Sequence, residues 1–221
     1  MTESVIFDLD GTLIDSAPSI RDAVNAMLAD EGLAPLSLPE VIGFVGDGLP
    51  VLVTRVMAAR GLTVERAADI QAQVLRYYQN FSLQGIHFYP GALAALEVLA
   101  ATGLRLGLCT NKPIALARAI LVHSGTGHLF GAVVGGDTLP QRKPDPAPLR
   151  ATVEQLGSVR AIFVGDSEID AETADRAALP FLLFRGGYAK RPHELITATA
   201  RFDDYAALPA LVAHQMLSAS L

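Results

Sequence analysis

Ser4-Val5-Ile6-Phe7-Asp8-Leu9-Asp10-Gly11-Thr12-Leu13 is the stretch on which the fold turns. Val5, Ile6 and Phe7 are β-branched or aromatic and read as a short buried strand that delivers Asp8 at its end. Leu9 turns away, Asp10 returns to the side of Asp8, and Gly11-Thr12 suits a tight turn. Two carboxylates at this spacing, at the C-terminal end of a strand, suit a cation site. They suit equally a split between nucleophile and proton donor. The pair alone is a weak signal, found also in acidic turns, so its meaning rests on what the remaining chain supplies.

The chain has 221 residues, enough for one large domain or for a core with a smaller companion. With 51% hydrophobic and 18% charged residues it belongs with the globular proteins. The one cysteine, Cys109, excludes an internal disulfide and fits a cytoplasmic setting. A net charge of −6 without runs of Lys or Arg argues against a nucleic-acid partner. Met1-Thr2-Glu3-Ser4 carries no basic segment, so no signal peptide is expected. Apolar segments such as 92–101 are too short to span a bilayer, so no membrane partner is expected. Nothing in the pattern specifies an oligomeric state.

Asp15-Ser16-Ala17-Pro18 reads as a helix start, a capping residue followed by proline in the first turn. Three apolar stripes at helical spacing follow. They are Ile20, Val24, Met27 and Leu28; then Leu49, Leu52, Val53, Val56 and Met57; then Ala67, Ile70, Val74, Tyr78 and Phe81. After Tyr89-Pro90-Gly91 the pattern becomes an alternation. Helices are expected over 92–101, 114–124, 146–156, 170–178 and 208–217, and strands over 104–109, 132–134, 161–164 and 181–184. This predicts the α/β class, a Rossmann-like parallel sheet with helices on both faces. The helical block between the first two strands is far too long for a βα loop. It is expected to form a helical cap domain, 16–85, inserted into a core of 1–15 and 86–221. Gly85 is the expected hinge residue.

In such sheets ligands bind beyond the C-terminal strand ends, where the polar residues of this chain gather. Attack on a phosphate ester needs a nucleophile, a proton for the leaving oxygen and positive charge on the phosphoryl oxygens. Asp8 can be the nucleophile and Asp10 the acid and base. Thr110 offers a hydroxyl, and with Asn111 it stands where a following helix opens. Lys143, between Arg142 and Pro144, supplies a fixed charge. Mg²⁺ suits an oxygen-only site, with Asp166 the distant ligand and Asp170 its support.

These stretches resemble the four motifs of the haloacid dehalogenase superfamily, in the phosphatase branch with a helical cap. Asp8-Leu9-Asp10-Gly11-Thr12 is similar to the nucleophile motif, and Thr110-Asn111 to the second. Lys143-Pro144 is similar to the third, and Gly165-Asp166-Ser167 with Asp170 to the fourth. The resemblance implies Asp8 as nucleophile and Asp10 as acid and base. It implies phosphate held by Thr110, Asn111 and Lys143, and Mg²⁺ bound by Asp8, the backbone carbonyl of Asp10 and Asp166. Asp10 disfavours the dehalogenating branch, which lacks it. Val45-Gly46-Asp47-Gly48-Leu49 resembles the glycine-rich cap loop of phosphoglycolate phosphatases.

The expected activity is Mg²⁺-dependent hydrolysis of a small phosphorylated metabolite, 2-phosphoglycolate foremost, through an aspartyl-phosphate. The alternatives are a sugar phosphomutase of the β-phosphoglucomutase kind and a phospho-ligand-binding protein without turnover. A phosphonatase would need a cap lysine, and none occurs before Lys112. Ala178-Leu179-Pro180 departs from the family, many members of which carry a glycine after the alanine. The departure is expected to affect the local turn more than the chemistry.

Overall fold

Strand β1 (Glu3–Phe7) has Val5, Ile6 and Phe7 wholly buried on alternate faces, as a central parallel strand covered by helices requires. This computed structural model describes residues 2–85 and 87–218. Beside β1 lie β2 (Arg105–Cys109), β3 (Phe130–Val134), β4 (Arg160–Gly165), β5 (Phe181–Phe184) and β6 (Ala200–Phe202). They form one parallel sheet in the order β3-β2-β1-β4-β5-β6. The chain builds outward from β1 to β3, then crosses back to start β4 on the other side of β1. The order therefore reverses between β1 and β4, and the crevice at their C-terminal ends is the ligand-binding place of such sheets.

Four helices separate β1 from the rest of the sheet: α1 (Ala17–Asp30), α2 (Leu38–Phe44), α3 (Leu49–Arg60) and α4 (Ala67–Gln84). They bury an apolar cluster of their own, which Leu116 and Tyr188 join from outside. Then come α5 (Ala92–Ala101), α6 (Ile114–His123), α7 (Ala147–Gln155), α8 (Glu168–Ala177) and α9 (Leu208–Ser218). Val5 and Phe7 pack with Leu96, Leu99 and Val212 on one face of the sheet. Ile6 packs with Leu149, Phe163 and Ala174 on the other. The α/β class with a parallel, helix-covered sheet is thus as expected.

Three local expectations change. Ser16 is helical at φ −96° and does not cap α1 with its side chain. The Ala17 N–H instead donates to the Tyr188 hydroxyl at 2.9 Å, so a distant loop satisfies the helix start. α2 went unpredicted; Ser37 and Glu40 close it with a reciprocal capping box. β6 is only three residues with an exposed Arg201 between Ala200 and Phe202, too short to show a period.

The chain enters and leaves the helical block side by side. Asp15 N–H donates to His87 O at 2.8 Å, Tyr89 N–H to Leu13 O at 3.0 Å, and Ile14 bridges Phe88. The expected hinge residue, Gly85, follows α4 at φ −142° and ψ 46°, and the next residue of that connection, Ile86, lies outside the described residues.

Ala178 ends α8 in the left-handed conformation at φ 58°, the place a glycine would occupy without cost from a Cβ. Ala178→Gly is expected to raise stability by about 1 kcal/mol in urea denaturation and to leave turnover unchanged.

Candidate active site

Asp8 follows β1, and its N–H still donates to Val164 O at 2.9 Å, so the nucleophile candidate is anchored by the sheet ladder. Asp166 follows β4 across the crevice. Its Oδ1 accepts from the Thr12 hydroxyl at 2.7 Å and its Oδ2 from the Tyr188 N–H at 2.6 Å. Gly11 has φ +86°, and a Cβ there would stand 2.5 Å from Asp166 Oδ2. A Cβ at Gly187 would stand 2.3 Å from that of Asp166, so two backbone segments close on this carboxylate as only glycines allow.

Asp170 is the third residue of α8 and is buried. Its Oδ2 accepts from the Ser167 hydroxyl at 2.6 Å and the Ser167 N–H at 3.2 Å, closing a capping box. Its Oδ1 takes the Lys143 ammonium at 2.6 Å. Lys143 Nζ also lies 2.9 Å from Asp8 Oδ1. That approach lacks hydrogen-bond direction, and Asp8 Oδ1 stays buried without a hydrogen-bond partner.

Oxygens of Asp8, Asp166 and Asp170 come within 4.8 Å of one another. Three buried carboxylates face one buried ammonium. Burial pushes Asp8 up to about 6, with Lys143 opposing and Asp170 adding to the rise. Burial likewise holds Asp166 well above the usual carboxylate range, reinforced by Asp170 and Asp8. Burial pulls the Lys143 ammonium down, yet Asp170 and Asp8 outweigh it and hold it above its ordinary value. The excess negative charge, the all-oxygen donor set and the orphaned Asp8 Oδ1 fit a hard divalent cation.

Thr110 follows β2 directly and is buried, with its hydroxyl accepting from the Lys112 N–H at 3.2 Å. Asn111 follows Thr110 at the end of β2 and is buried. Its Nδ2 donates to Gly46 O and Lys143 O, both at 3.0 Å, and its Oδ1 accepts from the Lys143 N–H at 3.0 Å. Its side-chain amide is engaged by backbone and so positions Lys143 and the Gly46 loop.

Asp10 has a cationic partner of its own. Its carboxylate turns to Lys112, Nζ to Oδ1 at 2.7 Å, and Lys112 also meets the Tyr78 hydroxyl of α4. Burial pulls the Lys112 ammonium down, but Asp10 and Tyr78 hold it above its usual value. Burial, then Asp10, pushes the Tyr78 phenol up to about 12, against the pull of Lys112. Asp8, Asp10, Thr110 and Lys112 line one side of a cavity of about 50 Å³. Ile20, Val45, Leu49 and Leu52 from the helical block wall the other. Lys112 follows Thr110-Asn111 directly, so its adjacency to a strand end was a usable signal. Tyr78 reads only as a stripe residue, and Tyr188 carries no local mark.

The profile of the haloacid dehalogenase-like hydrolases matches residues 5–184. A phosphoglycolate phosphatase of Cereibacter sphaeroides is 53% identical over 194 residues, 86% of this chain and 89% of the relative. One of Rhodospirillum rubrum is 48% identical, covering 94% of this chain and 90% of the relative. The crystal structure of a predicted phosphoglycolate phosphatase from Haemophilus somnus superposes with a TM-score of 0.89. It is 32% identical and covers 96% of this chain and 98% of that one. The chain belongs to the haloacid dehalogenase-like hydrolase family. Within that class it is a phosphoric monoester hydrolase, which sets aside the non-catalytic alternative. Among the described residues no helix is long and apolar enough to cross a membrane.

Proposed function

We propose that the chain is a Mg²⁺-dependent phosphatase that hydrolyses 2-phosphoglycolate through an aspartyl-phosphate on Asp8. The observation that carries this reading is Asp8 itself, anchored at the switch point with its buried carboxylate between Lys143 and two further carboxylates. The relatives named for that substrate support it. So does the cavity over Asp8 and Asp10, walled by Ile20, Val45, Leu49 and Leu52 of the helical block.

Asp8 attacks phosphorus and the bond to the ester oxygen breaks. Asp10 gives its proton to that oxygen as the alcohol leaves. Water then attacks phosphorus of the aspartyl-phosphate and yields a proton to Asp10, releasing inorganic phosphate and restoring the Asp8 carboxylate and the protonated Asp10. Lys143, the Thr110 hydroxyl and the Asn111 backbone N–H hold the phosphoryl oxygens, and the Asn111 side chain keeps Lys143 in place. Asp8, the Asp10 carbonyl and Asp166 would hold the cation, with Asp170 in support. When bound, Mg²⁺ offsets the charge between carboxylates and phosphoryl oxygens. Residues 16–85 act as a cap domain over the core of 1–15 and 86–221, opening to admit substrate and closing to exclude bulk water. The buried, unpaired Cys109 favours a cytoplasmic setting.

A panel of phosphate monoesters, assayed with and without Mg²⁺, tests this. The highest kcat/KM is expected for 2-phosphoglycolate, with activity lost in chelator and restored by Mg²⁺. A higher value for a hexose phosphate, or undiminished turnover in chelator, would sink the reading.

A further inference from the structure

We propose that Lys112 is a specificity-determining residue that receives a carboxylate of the substrate, one carbon beyond the ester oxygen. The inference rests on the phosphatase reading and assigns its selectivity to one side chain. Lys143 is committed on the far side of Asp8, held between that carboxylate and Asp170. Lys112 is the cation lining the apolar-walled cavity, and its side chain is almost wholly buried.

An ammonium has three donors. Asp10 takes one and the Tyr78 hydroxyl another. Among the described residues no third partner is in hydrogen-bond range, leaving a donor for a ligand in the cavity. The placement also fits the chemistry. Asp10 must reach the ester oxygen to protonate it, and Lys112 Nζ lies 2.7 Å from Asp10. A group separated from the ester oxygen by a single carbon therefore comes within reach of Nζ. Ile20, Val45, Leu49 and Leu52 around it offer no charge to a second anion. An ester with a neutral tail would leave the Lys112 donor unmet in a buried site, which is the kind of mismatch that separates related substrates.

The test compares 2-phosphoglycolate with ethyl phosphate, which carries a methyl in place of the carboxylate. Wild type is expected to favour 2-phosphoglycolate by about 10²-fold or more in kcat/KM. In Lys112→Met both substrates slow, because Asp10 loses its partner. The ratio between them should fall at least about 10-fold, chiefly through KM for 2-phosphoglycolate, and Lys112→Arg should recover part of it. An unchanged ratio would reduce Lys112 to a residue that only positions Asp10 and would overturn the proposal.

An inhibitor pair on the wild type keeps the test independent of folding of the variants. 3-Phosphonopropanoate should inhibit at least about 10-fold more tightly than propylphosphonate; equal inhibition overturns the proposal. Failure of the underlying reading looks different. A wild type that prefers another carboxylated ester over 2-phosphoglycolate loses that substrate but keeps the role of Lys112. One indifferent to the carboxylate loses the role of Lys112 and keeps the phosphatase chemistry.

Discussion

Asp8→Asn is expected to fold and to hydrolyse no phosphate ester above background, a loss of at least about 10⁴-fold in kcat. The amide cannot form the acyl-phosphate, and the remaining groups cannot replace it. The same variant reports on electrostatics. Burial lifts the folded-state Asp8 carboxyl from 3.8 to about 6. The folded protein thus holds that proton more tightly than the unfolded chain. The stabilisation is complete below about pH 4 and is lost as pH rises through 6. A shift of this size corresponds to about 3 kcal/mol. In metal-free buffer the stability of Asp8→Asn relative to wild type should therefore increase between pH 4 and pH 7. Urea denaturation in the presence of chelator measures it. Residual turnover of p-nitrophenyl phosphate by rigorously purified variant would refute the nucleophile, and a pH-independent difference would refute the burial argument.

Lys143→Met should reduce stability by about 3–5 kcal/mol, because it strips the ammonium from buried Asp8 and Asp170 and leaves their charges facing Asp166. Activity should fall at least about 10²-fold, since the phosphoryl oxygens lose their fixed cation. The stability deficit should narrow in acid. Asp8 and Asp166 have raised folded-state values, so protonating them on the way down removes the repulsion the lysine had offset. Denaturation of both proteins at pH 5 and pH 8 decides the point; a deficit larger at pH 5 would contradict it.

The strand ends were legible because parallel strands buried on both faces are unbroken apolar runs, and Asp8, Thr110 and Asp166 each close one. Lys143, far from any strand in sequence, was legible only through its place in the motif set. What stayed hidden depends on approach between distant segments. Tyr78 on α4 meets Lys112 beside β2, and Tyr188 reaches both Asp166 and the start of α1. No local period records such meetings. The role of Asn111 was hidden for a related reason: a side-chain amide at a strand end suits a ligand and a backbone carbonyl equally. Only the fold shows that Gly46 and Lys143 claim it.

The adjacent entry and exit of the helical block have a consequence for protein architecture. Leu13 to Asp15 and His87 to Tyr89 are hydrogen-bonded to each other, so the sheet-bearing part sees the whole excursion as one short hairpin. Replacing 16–86 with a tight turn would keep the chain path of the sheet intact, and a different helical bundle could be spliced at the same junction. A lineage can thus exchange the helical block in a single recombination while the sheet and the carboxylates at its strand ends are inherited unchanged.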